Sequence, residues 1–219
     1  MRFEVKGNPS YGEVDVDLGP NETLLIEPGA MSRMSSNLNS SFQRQGGFFS
    51  AMLRKMFGGE SFFLGKYEHP DGGKLTFAPS VPGSVQHYQL SNNNINIMAG
   101  AFLACTPGVN IKAKFGGLKA LFSGEGAFLL EASGNGDLFF NSFGGIVEKE
   151  INGEFIVDTG HVVAFDPSLD YKITGMGSFK STMLSGEGLV MRFSGNGKLY
   201  LQTRNVSSIA SWLTPRLLG

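Results

Sequence analysis

The chain has 219 residues, 18 Lys+Arg against 19 Asp+Glu, and a formal net charge of −1. That balance removes the basic footprint on which nucleic-acid affinity rests. Low charge (17%) beside 41% hydrophobic residues excludes an intrinsically disordered chain.

Glycine (31 residues, about twice the usual share) and 19 phenylalanines predict a β-rich protein with many tight turns. The opening "MRFEVKGNPSYGEV" carries charges and turn residues where a signal peptide has its apolar stretch. Apolar runs fall well short of the roughly 20 residues of a membrane span. The expectation is a soluble cytoplasmic protein.

In chain order, "EVDVDL" (13–18) sets Val14, Val16 and Leu18 on one face and Glu13, Asp15 and Asp17 on the other, the period of a strand. "FFSAMLRKMF" (48–57) spaces Phe48, Met52, Lys55 and Met56 by three and four, which predicts a short helix. "KLTF" (74–77), "DLFF" (137–140) and "KLYL" (198–201) read as strands entered from glycine turns, and "NINI" (94–97) and "EFIV" (154–157) as strands by alternation. Cys105, in the run "IMAGAFLAC", reads as a small buried thiol rather than a nucleophile. "VSSIASWLTPRLL" (206–218) predicts a second short helix, capped by Ser207 or Ser208.

One stretch occurs twice. "LFSGEGAFLLEASGNGDLFF" (121–140) returns as "MLSGEGLVMRFSGNGKLYLQ" (183–202), with Gly100 matching Gly160 and Glu125 matching Glu187. A fainter copy lies nearer the N-terminus, in "EPGAM" (27–31), "MFGGESFFLGKY" (56–67) and "DGGKLTF" (71–77). The expected organisation is three repeats, 1–84, 85–146 and 147–219, forming one compact unit, the first with an inserted segment at about 38–57. Asn-Gly between apolar runs signals a hairpin, so Ser-Gly-Asn-Gly is expected to be a turn. A copy this small cannot bury a full hydrophobic face by itself. The expectation is an all-β protein of three fused sandwich-like repeats about a pseudo-threefold axis, with one or two short helices.

These copies, and above all "GGFFSAMLRKMFGGESFFLGKY" (46–67), resemble the altered-inheritance-of-mitochondria protein 24 family over nearly the whole chain. The resemblance implies three copies of the β-sandwich of the tryptophan RNA-binding attenuation protein (TRAP), a double-stranded β-helix type. It brings no established enzymatic activity and no catalytic residues. The family's mitochondrial member is associated with inner-membrane organisation, which implies a scaffolding role by analogy.

Candidate chemistry is sparse. Phe48, Phe49, Met52, Arg54, Lys55, Met56 and Phe57 form an apolar, basic patch suited to a protein partner or a membrane surface. Its ordinary reading is a lid on one end of the core. Glu60, Glu125 and Glu187 hold equivalent positions, and convergence of the three would suit a hard cation or ligand. Their ordinary reading is local pairing. Lys112 and Lys114 share a strand face with Lys119 nearby, but no such pair recurs, so RNA binding is disfavoured. His69, His87 and His161 lack metal-ligand spacing, and His161 reads as a solvated turn histidine. Asp158, Asp166 and Asp170 read as turn caps. The expectation is a non-enzymatic scaffold or interaction protein with no catalytic residue, metal or cofactor. Its partner is a protein or a membrane surface, its oligomeric state is open, and the alternative is a small-ligand or cation-binding module in clefts between repeats.

Overall fold

The computed structural model describes residues 1–44, 63–114, 129–175 and 189–217. Among these residues the strands are β1 (Arg2–Lys6), β2 (Glu13–Leu18), β3 (Thr23–Ile26), β4 (Met31–Met34), β5 (Asn39–Arg44), β6 (Phe63–Glu68), β7 (Gly73–Phe77), β8 (Val85–Met98), β9 (Phe102–Cys105), β10 (Val109–Lys114), β11 (Leu129–Asn141), β12 (Ile146–Asp158), β13 (Val162–Phe165), β14 (Leu169–Gly175) and β15 (Leu189–Gln202). A single α-helix among the described residues, α1, spans Val206–Leu217. Short 3-10 turns at Ala99–Ala101 and Thr159–His161 bend the chain into β9 and β13. The fold is mostly antiparallel β, as the composition predicts.

A four-stranded sheet has the order β1-β2-β7-β4, and an eleven-stranded sheet runs β12-β15-β13-β8-β11-β9-β3-β6-β5, with β10 on β11 and β14 on β15. The alternation in "EVDVDL" holds: Val14, Val16 and Leu18 are buried. With Leu75 and Phe77 of β7 they pack on Leu24, Ile26, Leu103, Ala104 and Phe139 of the larger sheet. A second cluster joins Leu25 and Leu64 to Ile95, Ile97, Leu130, Leu138 and Phe140, and a third gathers Val157, Phe165, Met191, Phe193 and Leu199. Strand β5 occupies the first part of the segment read as an insertion and pairs with β6 from Asn39 to Arg44.

The Ser-Gly-Asn-Gly expectation fails. β11 runs unbroken through Ser133–Gly136, and β15 through Ser194–Gly197. These glycines make room for a neighbouring turn instead of reversing the chain. A Cβ on Gly134 (φ +107°) would sit 2.4 Å from the Gly108 carbonyl oxygen, and one on Gly136 2.2 Å from Thr106 Oγ1. That hydroxyl is held by Asp137 N–H at 2.9 Å. Opposite, Asn92 takes φ 57°; its backbone N–H donates to Asn135 Oδ1 and its Oδ1 accepts from Asn135 Nδ2, at a register step between Gly134 and Asn135. In β15 the same closeness recurs, where Lys198 N–H bonds Asp166 at 2.8 Å and Ser168 Oγ–H bonds the Asn196 carbonyl at 2.8 Å.

The helix at 206–217 is present as expected, but its cap is Asn205. The Asn205 side-chain oxygen accepts from Ser207 N–H at 2.9 Å and Ser208 N–H at 3.4 Å. An asparagine amide oxygen reaches the orphan N–H groups of a first turn from the cap position, which neither serine occupies.

Candidate functional site

Glu60, Glu125 and Glu187, the patch Phe48, Phe49, Met52, Arg54, Lys55, Met56 and Phe57, and Lys119 all lie outside the described residues. The other singled-out residues fall into separate, locally bonded settings. His87 Nε2 is 2.8 Å from Asp137 Oδ1, its ring against Phe3 (4.5 Å between centroids) and Phe139 (5.2 Å). His69 Nδ1 accepts from Asp71 N–H at 3.2 Å. His161 stands on the predicted corner but is half-buried, its Nδ1 donating to the Gln202 carbonyl at 2.7 Å, so it is not the free solvated histidine expected. Asp158 caps its turn as predicted, accepting from Gly160 N–H at 2.7 Å. Asp170 is exposed on β14. Lys112 and Lys114 do share a face of β10, where Lys114 pairs with Glu131. Cys105 is fully buried, and burial pushes its thiol up to about 12. A thiol so protonated is a packing group. Among the described residues no three His, Cys, Asp or Glu side chains group as a metal would need.

Two surfaces remain. The first is the outer face of the four-stranded sheet. Because β2 alternates, Glu13, Asp15 and Asp17 stand together on the side away from the core, and β4 and β1 bring cations to them. Arg33 grips Glu13 with two parallel bonds (2.9 and 2.8 Å) and reaches Asp15 at 3.0 Å; Lys6 meets Asp15 at 2.7 Å. Thr76 Oγ–H donates to Asp15 at 2.6 Å. Hydrogen bonds from Lys6 and Thr76 hold the Asp15 carboxyl down at about 2. A concave surface of about 700 Å³ lies here, lined by Arg2, Lys6, Asp15, Arg33, Lys74 and Thr76 among others. Arg2, Lys6 and Arg33 are paired there with acidic side chains.

The second surface is at the C-terminal end. No residue of α1 is buried; Val206, Ile209, Trp212, Leu213 and Leu217 all stay exposed, Trp212 at 59% and Leu217 at 70%. Val147 and Ile156 are exposed on β12, which stands at one end of the strand order of the large sheet. A pattern search for catalytic residues passes over such a surface, since its signal is only apolar spacing. It also passes over Glu27, a partly buried corner carboxyl that desolvation raises to about 7.

A family model described as mitochondrial biogenesis AIM24 matches residues 3–204. The chain belongs to this family. An uncharacterised protein of Streptococcus pyogenes serotype M6 is 32% identical over 222 residues, covering 97% of this chain and 90% of that protein. The X-ray structure of protein SPYM3_0169 from Streptococcus pyogenes is similar with a TM-score of 0.82 at 30% identity, across 98% of this chain and 99% of the other. The family match stops two residues before α1 begins. No helix among the described residues is long and apolar enough to cross a membrane.

Proposed function

We propose that this chain is a non-enzymatic scaffold or interaction protein built from three fused TRAP-like β units. The uncovered apolar side chains of α1 and β12 carry the interaction reading. A folded chain that leaves a tryptophan, two leucines and an isoleucine of one helix facing water has a surface fit for a partner.

Recurring pairings support the tripled unit. β9 and β10 lie along the two halves of β11, β13 and β14 along β15, and β4 and β5 along β7 and β6. Each short strand skips one residue at the same place, at Ser32, Leu103 and Val163. Successive units then join by equivalent pairs: Ala104 and Cys105 on Ile26 and Leu25, Ala164 and Phe165 on Ile97 and Asn96. A pseudo-threefold closure needs a third join, β4 upon β12, and the described ladders contain two. The face that would make it carries Arg33 at the position where the two inner joins place an alanine, Ala104 or Ala164. Polar end faces terminate stacked units.

Affinity purification from the native host, with mass spectrometry of proteins and lipids, tests the interaction reading. The full chain is compared with an Ile156→Ser, Leu213→Ser variant. Material retained by the first and lost by the second is the expected outcome. Identical recoveries overturn it. The alternative, a small-ligand module, draws support from the concave charged face and predicts co-purifying small molecules lost on Arg33→Ala.

A further inference from the structure

The interaction reading leaves the partner open, and α1 narrows it. Turning 100° per residue, the helix gathers Trp212, Ile209, Leu213, Val206, Leu217 and Ala210 into an apolar arc of about 160°. The opposite side holds Thr214, Ser207, Ser211, Pro215 and Ser208, four hydroxyls and a proline without charge. From Thr203 to the last residue there is no Asp or Glu, and the only charges are Arg204 and Arg216.

Arg216 lies with its guanidinium 4.2 Å over the Trp212 ring, inside the apolar arc. Trp212 marks one border of the greasy face, and Arg216 stands about 40° inside that border, stacked on the ring. Among the described residues, the helix is held at its foot. Asn205 caps the first turn and donates to Asp158 at 3.3 Å, and Arg204 N–H bonds the Phe143 carbonyl at 3.2 Å. Beyond that foot, nothing is buried.

We propose that α1 is an interfacial anchor that lies in the surface of an anionic lipid bilayer, apolar arc inward. This rests on the interaction reading and names its partner. An interfacial helix needs a broad apolar face, an aromatic residue at the boundary and cations for anionic headgroups. The apolar face and the aromatic residue lie on these twelve residues, and the cations are Arg216 within the helix and Arg204 two residues before it. A protein groove that recognised the helix by charge would find one arginine on it, a second two residues before it, and no charge on the opposite side. A second copy of the helix brings the same two arginines and no carboxylate to meet them. The position of α1 beyond residue 204 places this anchor outside the stretch shared with the family model.

Trp212 is the only tryptophan in the chain, so its emission reports on α1 without a label. The intact protein is titrated with vesicles of phosphatidylcholine alone and of phosphatidylcholine with phosphatidylglycerol. A blue shift of the emission, quenching by acyl-brominated lipid, and binding roughly tenfold or more tighter to the anionic vesicles are expected. Ile209→Ser with Leu213→Ser lowers vesicle partition by about a hundredfold and leaves the thermal unfolding midpoint unchanged. Arg204→Gln with Arg216→Gln abolishes the preference for anionic lipid.

Unshifted emission with both vesicle types overturns the proposal. So does a free protein whose emission is already blue and whose light-scattering mass is that of a dimer, because the helix is then covered by a second copy. Vesicle binding that persists in the Ile209→Ser, Leu213→Ser variant also overturns it. Failure on vesicles with a protein still retained from the host leaves the interaction reading standing.

Discussion

The Phe139 ring meets Phe3 at 5.0 Å and Phe77 at 5.4 Å, both edge-on, with no exposed surface. Truncating a ring held this way opens a cavity that its neighbours cannot fill. Phe139→Ala should cost about 3–5 kcal/mol, read as a lower urea midpoint. Asp15 makes a smaller, pH-dependent contribution. Its folded pKa is depressed to about 2, so its stabilisation is present above the ordinary value of 3.8 and is lost as pH falls towards about 2. Solvent reaches the side chain, which limits the effect to less than about 1 kcal/mol. Denaturant titrations across that acid range should show the loss in the native chain and not in Asp15→Asn. Glu27 has the opposite sign. Its folded pKa is raised from 4.5 to about 7, so stability declines as pH rises between those values. Glu27→Gln should remove the decline, and equal slopes in both proteins would refute the assignment.

Among the elements, β11 depends on room as much as on its apolar residues. Gly134 combines φ +107° with the Gly108 carbonyl in its Cβ position. Gly134→Ala should therefore cost about 1–3 kcal/mol, against a fraction of that for an exposed glycine with ordinary backbone. This is also where sequence reading reached its limit. "EVDVDL" could be read as β2, because alternation is a property of the residues themselves. The long strands β8, β11, β12 and β15 could be read only in pieces, as "NINI", "DLFF", "EFIV" and "KLYL". The glycines of β11 and β15 look like turns until the chain crossing them, at Thr106–Gly108 and at Asp166–Ser168, is in view. For the charged face, Glu13, Asp15 and Asp17 could be assigned a common side, but Arg33 lies eighteen residues from Asp15 in sequence and comes to it only through pairing of β4 with β7. The C-terminal helix was legible because its spacing is local; its exposure was not, since that depends on what the sheets fail to cover.

For the molecule as a whole, the helix is an appendage and the sheets are the body. Since α1 buries no residue, a chain ended at Asn205 should unfold within about 2 °C of the full protein in a circular-dichroism melt. A larger drop would mean that α1 supports the core. The single cysteine provides a second check on the body. Cys105 lies in the central cluster, so alkylation by iodoacetamide should proceed only as fast as global unfolding.

β9 lies between β11 and β3, and β13 between β15 and β8. Each of these strands therefore belongs to two neighbourhoods at once. Scissors applied near residue 84 would yield two raw rims, each eager to glue itself to a stranger, rather than two smaller proteins. Heat, likewise, should melt the strands together in one step. The architecture has made its parts hostages to one another.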